Sequence, residues 1–165
     1  SEDAARVFAQ DLSRYPENQV LGALNRCRRE LSANLTPAAV IARLDDGRPG
    51  PEQAWAMMPR AESETVVWTA EMSVAYGVAL PLMQEGDHVA ARMAFLETYR
   101  KLCLDARDAG TPVKWTPSPG TDVHGQVTAI KEAVRLGRLP VGHVTQLPYQ
   151  DEPAPAVLKA IESKG

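Results

Sequence analysis

A chain of 165 residues is long enough to bury a core without metal or disulfide staples, yet short enough for one ordinary domain with a small satellite. Aromatic residues make up only 5%, so that core has to be aliphatic and alanine-rich; a net charge of -3 excludes a surface that is nucleic-acid footprint throughout. No apolar run approaches the ~20 residues of a membrane span, and the opening Ser1-Glu2-Asp3 is too polar and acidic for a secretory leader, so a cytoplasmic location away from membranes is expected.

Helical periodicity dominates. Residues 3–14 carry Ala4, Val7, Phe8 and Leu12 at helical spacing and stop before Pro16. Residues 17–31 form the clearest amphipathic segment, with Val20, Leu21, Leu24, Cys27 and Leu31 on one face and Arg26 and Arg29 pointing away. Thr36-Pro37 has the chemistry of a helix start, a hydroxyl cap before a first-turn proline, and Val40, Ile41 and Leu44 supply the buried side. The run from Leu44 to Trp55 then reads as a rigid corner. In it Gly47 suits a positive φ as the cap of the preceding helix, Pro49 blocks resumption, and Pro51 opens a short helix that carries Trp55 and ends at Pro59.

Residues 60–68 interrupt the pattern, and Thr65-Val66-Val67-Trp68 is β-prone but long enough only for an extended connection. Thr69 caps a helix to about Met83, with Met72, Ala75, Ala79, Leu82 and Met83 inward; Pro81 predicts a kink or an early end. Asp87 caps the longest helix, about 87–108, whose wide apolar arc runs through Val89, Met93, Phe95, Leu96, Tyr99, Leu102 and Cys103 before Gly110. Prolines hold residues 111–122 extended, with Trp115 as anchor. A last good helix spans 123–136 and closes at Gly137, and a weak one is expected from Ala156 to Ile161. The expected fold is all-α, an irregular bundle of about six to eight short helices with proline-rich connections. Its expected divisions are an N-terminal helical unit over 1–46, a main bundle over 51–139 and a tail over 140–165.

The chemistry is sparse. No nucleophile elbow or phosphate-cradling glycine loop occurs, and His88, His124 and His143 have no ligand spacing. Asp45, Asp46 and Glu52 read as a solvated turn pairing to Arg43 or Arg48; a carboxylate-bound metal there is the enzymatic alternative. No catalytic residue, metal or cofactor is therefore expected. Cys27 and Cys103 each sit inside an apolar helical pattern, which favours two buried thiols over a disulfide. Arg26, Arg28 and Arg29 form the one basic cluster. They suit either phosphates or an acidic patch on a protein, against the plain alternative of a solvated face paired to Glu30 and its neighbours. With Arg48, and with Trp115 as the most accessible tryptophan, they make the expected contact surface.

The run Leu12-Ser13-Arg14-Tyr15-Pro16, followed by Val20-Leu21, Ala23-Leu24, Cys27-Arg28-Arg29, Leu35-Thr36 and Ile41, resembles the small helical N-terminal domains of phage replicative-helicase loader/inhibitor proteins. A second set is similar to uncharacterised proteobacterial phage and prophage proteins: Asp45 through Pro51, Ala54-Trp55, Val67-Trp68-Thr69, Gly86-Asp87 and Ala90 through Phe95. The resemblance implies a non-enzymatic replication accessory that binds a replicative helicase or another replication protein to load or restrain it. A DNA-binding or regulatory protein using the same arginines on phosphates is the alternative. The family's flexible helicase-engaging C-terminal part has no counterpart in residues 69–136, which are patterned for packing, so no binding residue is carried over from it.

Overall fold

The computed structural model describes residues 1–145, and the helix expected from Ala156 to Ile161 lies outside the described residues. The fold is all-α apart from one short strand pair. In chain order the elements are α1 (Glu2–Leu12), α2 (Glu17–Glu30), α3 (Pro37–Ile41), α4 (Pro51–Ala56), β1 (Val67–Thr69), α5 (Ala70–Gln84), α6 (His88–Asp108), β2 (Trp115–Pro117), α7 (Val123–Arg135) and α8 (Gly142–Thr145). Starts follow the capping chemistry of the chain. Thr36 Oγ1 accepts from Ala39 N at 3.1 Å, Thr69 Oγ1 from Met72 N at 3.3 Å, and Asp87 Oδ1 from Ala90 N at 2.9 Å.

The compact units differ from divisions drawn near residues 46–51. One comprises Ser1–Met58 with Thr69–Lys114, the other Pro59–Trp68 with the described residues from Trp115 onward. In the first, Leu12, Ala23, Cys27, Val40, Ile41 and Leu44 form a core against which Leu104 of α6 packs. That shared core ties the N-terminal helices to the longest helix. Helices α5 and α6 make the most extensive helix pair, and the fully buried Ala75, Ala79 and Ala91 leave room for close approach. Around Phe95 the aromatic residues cluster, with Trp55 at 5.2 Å and Tyr99 at 5.8 Å between ring centroids.

Several expectations need correction. Gly47 does take a positive φ of 89°, but it lies in the loop after α3 instead of capping it, because α3 already ends at Ala42. Helix α5 runs past Pro81 to Gln84: the Pro81 ring removes one ladder bond, and Glu85 N still donates to the Pro81 carbonyl at 3.0 Å. Leu21, Val89 and Met93 are 53%, 73% and 63% exposed, so they are not core. The buried stripe of α2 passes through Ala23 instead, and the first turns of α6 bury Ala91 while Val89 and Met93 face out.

In the second unit, the two extended segments expected separately pair as β1 and β2. Ser118 N donates to the Val66 carbonyl at 2.8 Å, and Val66 N donates to Ser118 Oγ at 3.0 Å. Val67, Ile130, Ala133 and Leu139 form the core of this unit, with Trp115, Val127, Val134 and Val144 packed against it.

Candidate functional site

The corner after α3 is built on charge. Arg48 is buried, with 1% of its side chain exposed. Its Nε and Nη2 donate to Glu71 Oε1 at 3.0 and 2.9 Å, its Nη1 to Asp46 Oδ2 at 2.6 Å, and Nη2 also to the Thr111 carbonyl at 2.9 Å. Asp46 is shared: Arg107 on α6 donates to its two oxygens from Nε and Nη2, each at 3.1 Å, and from Nη1 to the Ala42 carbonyl at 3.1 Å. Two guanidiniums and two carboxylates thus neutralise one another where charge would otherwise be costly to bury. Among the described residues Glu71 Oε2 is left without a donor. Close by, the Tyr99 hydroxyl donates to the Pro49 carbonyl at 2.7 Å. These contacts fix the corner to α5 and α6.

The electrostatics follow from the packing. Burial pushes the Asp46 carboxyl up, but the hydrogen bonds and charge of Arg107 and Arg48 outweigh it and hold the group below the usual carboxylate range. For Arg48, burial works against the charged form, and the bonds to Glu71 and Asp46 prevail and raise its pKa. Burial pushes the Cys103 thiol up, which makes it a poor nucleophile at neutral pH. Both Cys103 and Cys27 are free and buried.

A cleft of about 350 Å³ opens between the loop at 42–45, the corner at 48–53 and the face of α6 from Tyr99 to Arg107. Arg26, Arg43, Arg48, Arg100 and Arg107 line it, against one lining carboxylate, Asp45. Arg43 is committed to Glu30 at 2.8 Å and to the Ala39 carbonyl at 3.1 Å. Arg26 donates to the Arg43 carbonyl at 3.0 Å and meets Asp45 at 3.3 Å, with 38% of its side chain exposed. Arg100 is exposed and has no ion pair or hydrogen bond among the described residues.

Of the expected contact residues, the structure brings Arg26, Arg28 and Arg29 together on the C-terminal half of α2. Arg28 and Arg29 are exposed in its last turn, where they also favour the negative end of the helix dipole. Arg48 does not join them as a surface group, because Asp46 and Glu71 hold it inside. Trp115 belongs to the second unit, where it is half-buried against the core and carries the Arg138 guanidinium 4.4 Å above its ring. Asp45 pairs with Arg26, and Asp46 with Arg48 as well as Arg107, so the acids of the corner face guanidiniums. Among the described residues no group of three or more His, Cys, Asp or Glu is placed to hold a metal.

Glu71, Arg100 and Arg107 escape a reading of the sequence. Each sits inside a helical segment that looks like an ordinary amphipathic pattern. The one available signal is Glu71, an acid in the first turn of a helix that carries no further charge to its end at Gln84. No protein-family model matches the chain, and neither a curated protein nor a solved structure matches it.

Proposed function

We propose that the chain is a non-enzymatic accessory of phage-type DNA replication. It binds a replicative helicase or another replication protein through the arginine end of α2, and so loads or restrains that partner. The observation that carries this reading is the state of Arg28 and Arg29, exposed and without an ion pair among the described residues, beside the half-exposed Arg26. Their helix is held by the buried Ala23 and Cys27 and by the Arg26 bond to the Arg43 carbonyl, so the backbone that carries Arg28 and Arg29 is fixed. Guanidiniums held this way suit the carboxylates of an acidic protein patch, and the resemblance of residues 12–41 to helicase loader/inhibitor domains supplies the class of partner.

A DNA-binding or regulatory role is the second reading, favoured by the same guanidinium chemistry, which also fits phosphates. Binding of the purified chain to replicative helicase and to duplex DNA, each over a salt series, separates the two. A helicase complex weakened about tenfold by the pair Arg28→Gln and Arg29→Gln supports docking. Binding to DNA alone, falling steeply with salt, supports the second reading. Binding to neither sinks both.

A further inference from the structure

We propose that the arginine-lined cleft is a binding site for a small organic phosphate, its phosphate held at the mouth by Arg26 and Arg100 and its apolar body lying on Pro51 and Leu104. The site shares Arg26 with the proposed docking face, but Arg28 and Arg29, which carry the docking role, do not line it, so neither role depends on the other.

Charge points to the ligand. Among the guanidiniums of the wall, Arg48 and Arg107 are neutralised from behind by Glu71 and Asp46, and Arg43 by Glu30. Arg100 makes no ion pair among the described residues, and Arg26, which also donates to the Arg43 carbonyl, has one long ion pair, to Asp45, whose side chain is 72% exposed. So exposed a pair contributes little, and a dianion can replace the Asp45 carboxylate at small cost. Two incompletely satisfied guanidiniums at a concave mouth give the planar, forked donors that phosphate oxygens take up. The concavity concentrates their field.

Size and lining limit the rest of the ligand. About 350 Å³ is at the small end of small-molecule sites and excludes a folded partner. Pro51 and Leu104 are half-buried and offer apolar surface beyond the mouth, which inorganic phosphate would leave unused. The wall is also rigid: the buried ion network and the Tyr99 bond to the Pro49 carbonyl hold the corner against α6, so ligand binding requires little ordering of the chain.

Amide-resolved NMR titration of the whole chain tests this with three probes: phenyl phosphate, inorganic phosphate and benzyl alcohol. Phenyl phosphate is expected to give saturable shifts confined to the amides around Arg26 and to residues 42–53 and 99–107. It should bind about tenfold more tightly than inorganic phosphate, and benzyl alcohol should not saturate. Arg100→Gln, at an exposed position, should weaken phenyl phosphate about tenfold with the remaining spectrum unchanged. Arg135→Gln on α7, and the pair Arg28→Gln with Arg29→Gln, should leave it unaltered. Any of three results overturns the proposal: no saturation at the cleft, benzyl alcohol binding as well as phenyl phosphate, or Arg135→Gln weakening binding as much as Arg100→Gln.

Discussion

Replacing Arg48 by Met removes four side-chain hydrogen bonds at once, two to Glu71 and one each to Asp46 and the Thr111 carbonyl. Asp46 keeps Arg107, whereas Glu71 is left inside the protein with neither oxygen paired to a side chain among the described residues. Breaking a buried pair from one side in this way costs about 3–5 kcal/mol, a large part of the roughly 5–15 kcal/mol that holds a domain together. Adding Glu71→Leu to Arg48→Met removes the stranded charge and fills its space with carbon. The double variant should therefore recover most of the loss and lie within about 1–2 kcal/mol of the parent. Urea unfolding at pH 7, followed by the helical circular dichroism signal, yields all four corners of the cycle, with a coupling energy of at least about 2–3 kcal/mol expected, larger by whatever Glu71→Leu alone costs. A single variant that loses less than about 1 kcal/mol, or a double variant whose losses simply add, would refute the assignment of this network as the tie between the corner and α5.

Asp46 makes the same network sensitive to acid. Its carboxyl is held below the ordinary value in the fold, so its stabilisation is complete above the unfolded value of about 4 and drains away as pH falls through the lower folded value. Asp46→Asn should flatten the melting temperature against pH below about pH 4, and an unchanged acid limb would exclude this account. At Gly120, a Cβ would press on Thr65 Oγ1 and come within 2.7 Å of the Ser63 carbonyl oxygen and the Glu64 backbone. Gly120→Ala should cost about 1–3 kcal/mol. By contrast, Gly77→Ala, in α5 with nothing within 4 Å, should add about 0.5–1 kcal/mol in the same urea titrations. Cys27 and Cys103 should both resist iodoacetamide at pH 7.5 until the chain is unfolded, since each is buried and burial raises the Cys103 thiol further; fast labelling of either in native protein contradicts their placement.

What can be read along the chain is what depends on near neighbours. Thr36-Pro37, Thr69 and Asp87 declare helix starts, because a cap needs only a side-chain oxygen and a backbone N–H a few residues on. The spacing of Val40, Ile41 and Leu44 declares a buried side for the same local reason, and the all-α class follows from many such segments. Burial at the margins of each stripe does not follow. Leu21, Val89 and Met93 match a helical period and still face out, because a wide apolar arc does not say which part of it a neighbour covers.

The candidate site shows the same boundary more sharply. Arg26, Arg28 and Arg29 are adjacent in sequence, so their shared helix end was legible. Arg48 looked like one of them by charge alone. Only the tertiary structure brings Glu71, Arg107 and Tyr99, all distant from Arg48 in the sequence, around the corner, and so turns Arg48 from a surface cation into a buried tie. A charge carries no mark of its counter-ion in the sequence: the pairing depends on which helices share a core, and that is decided when α6 packs across both the N-terminal helices and α5.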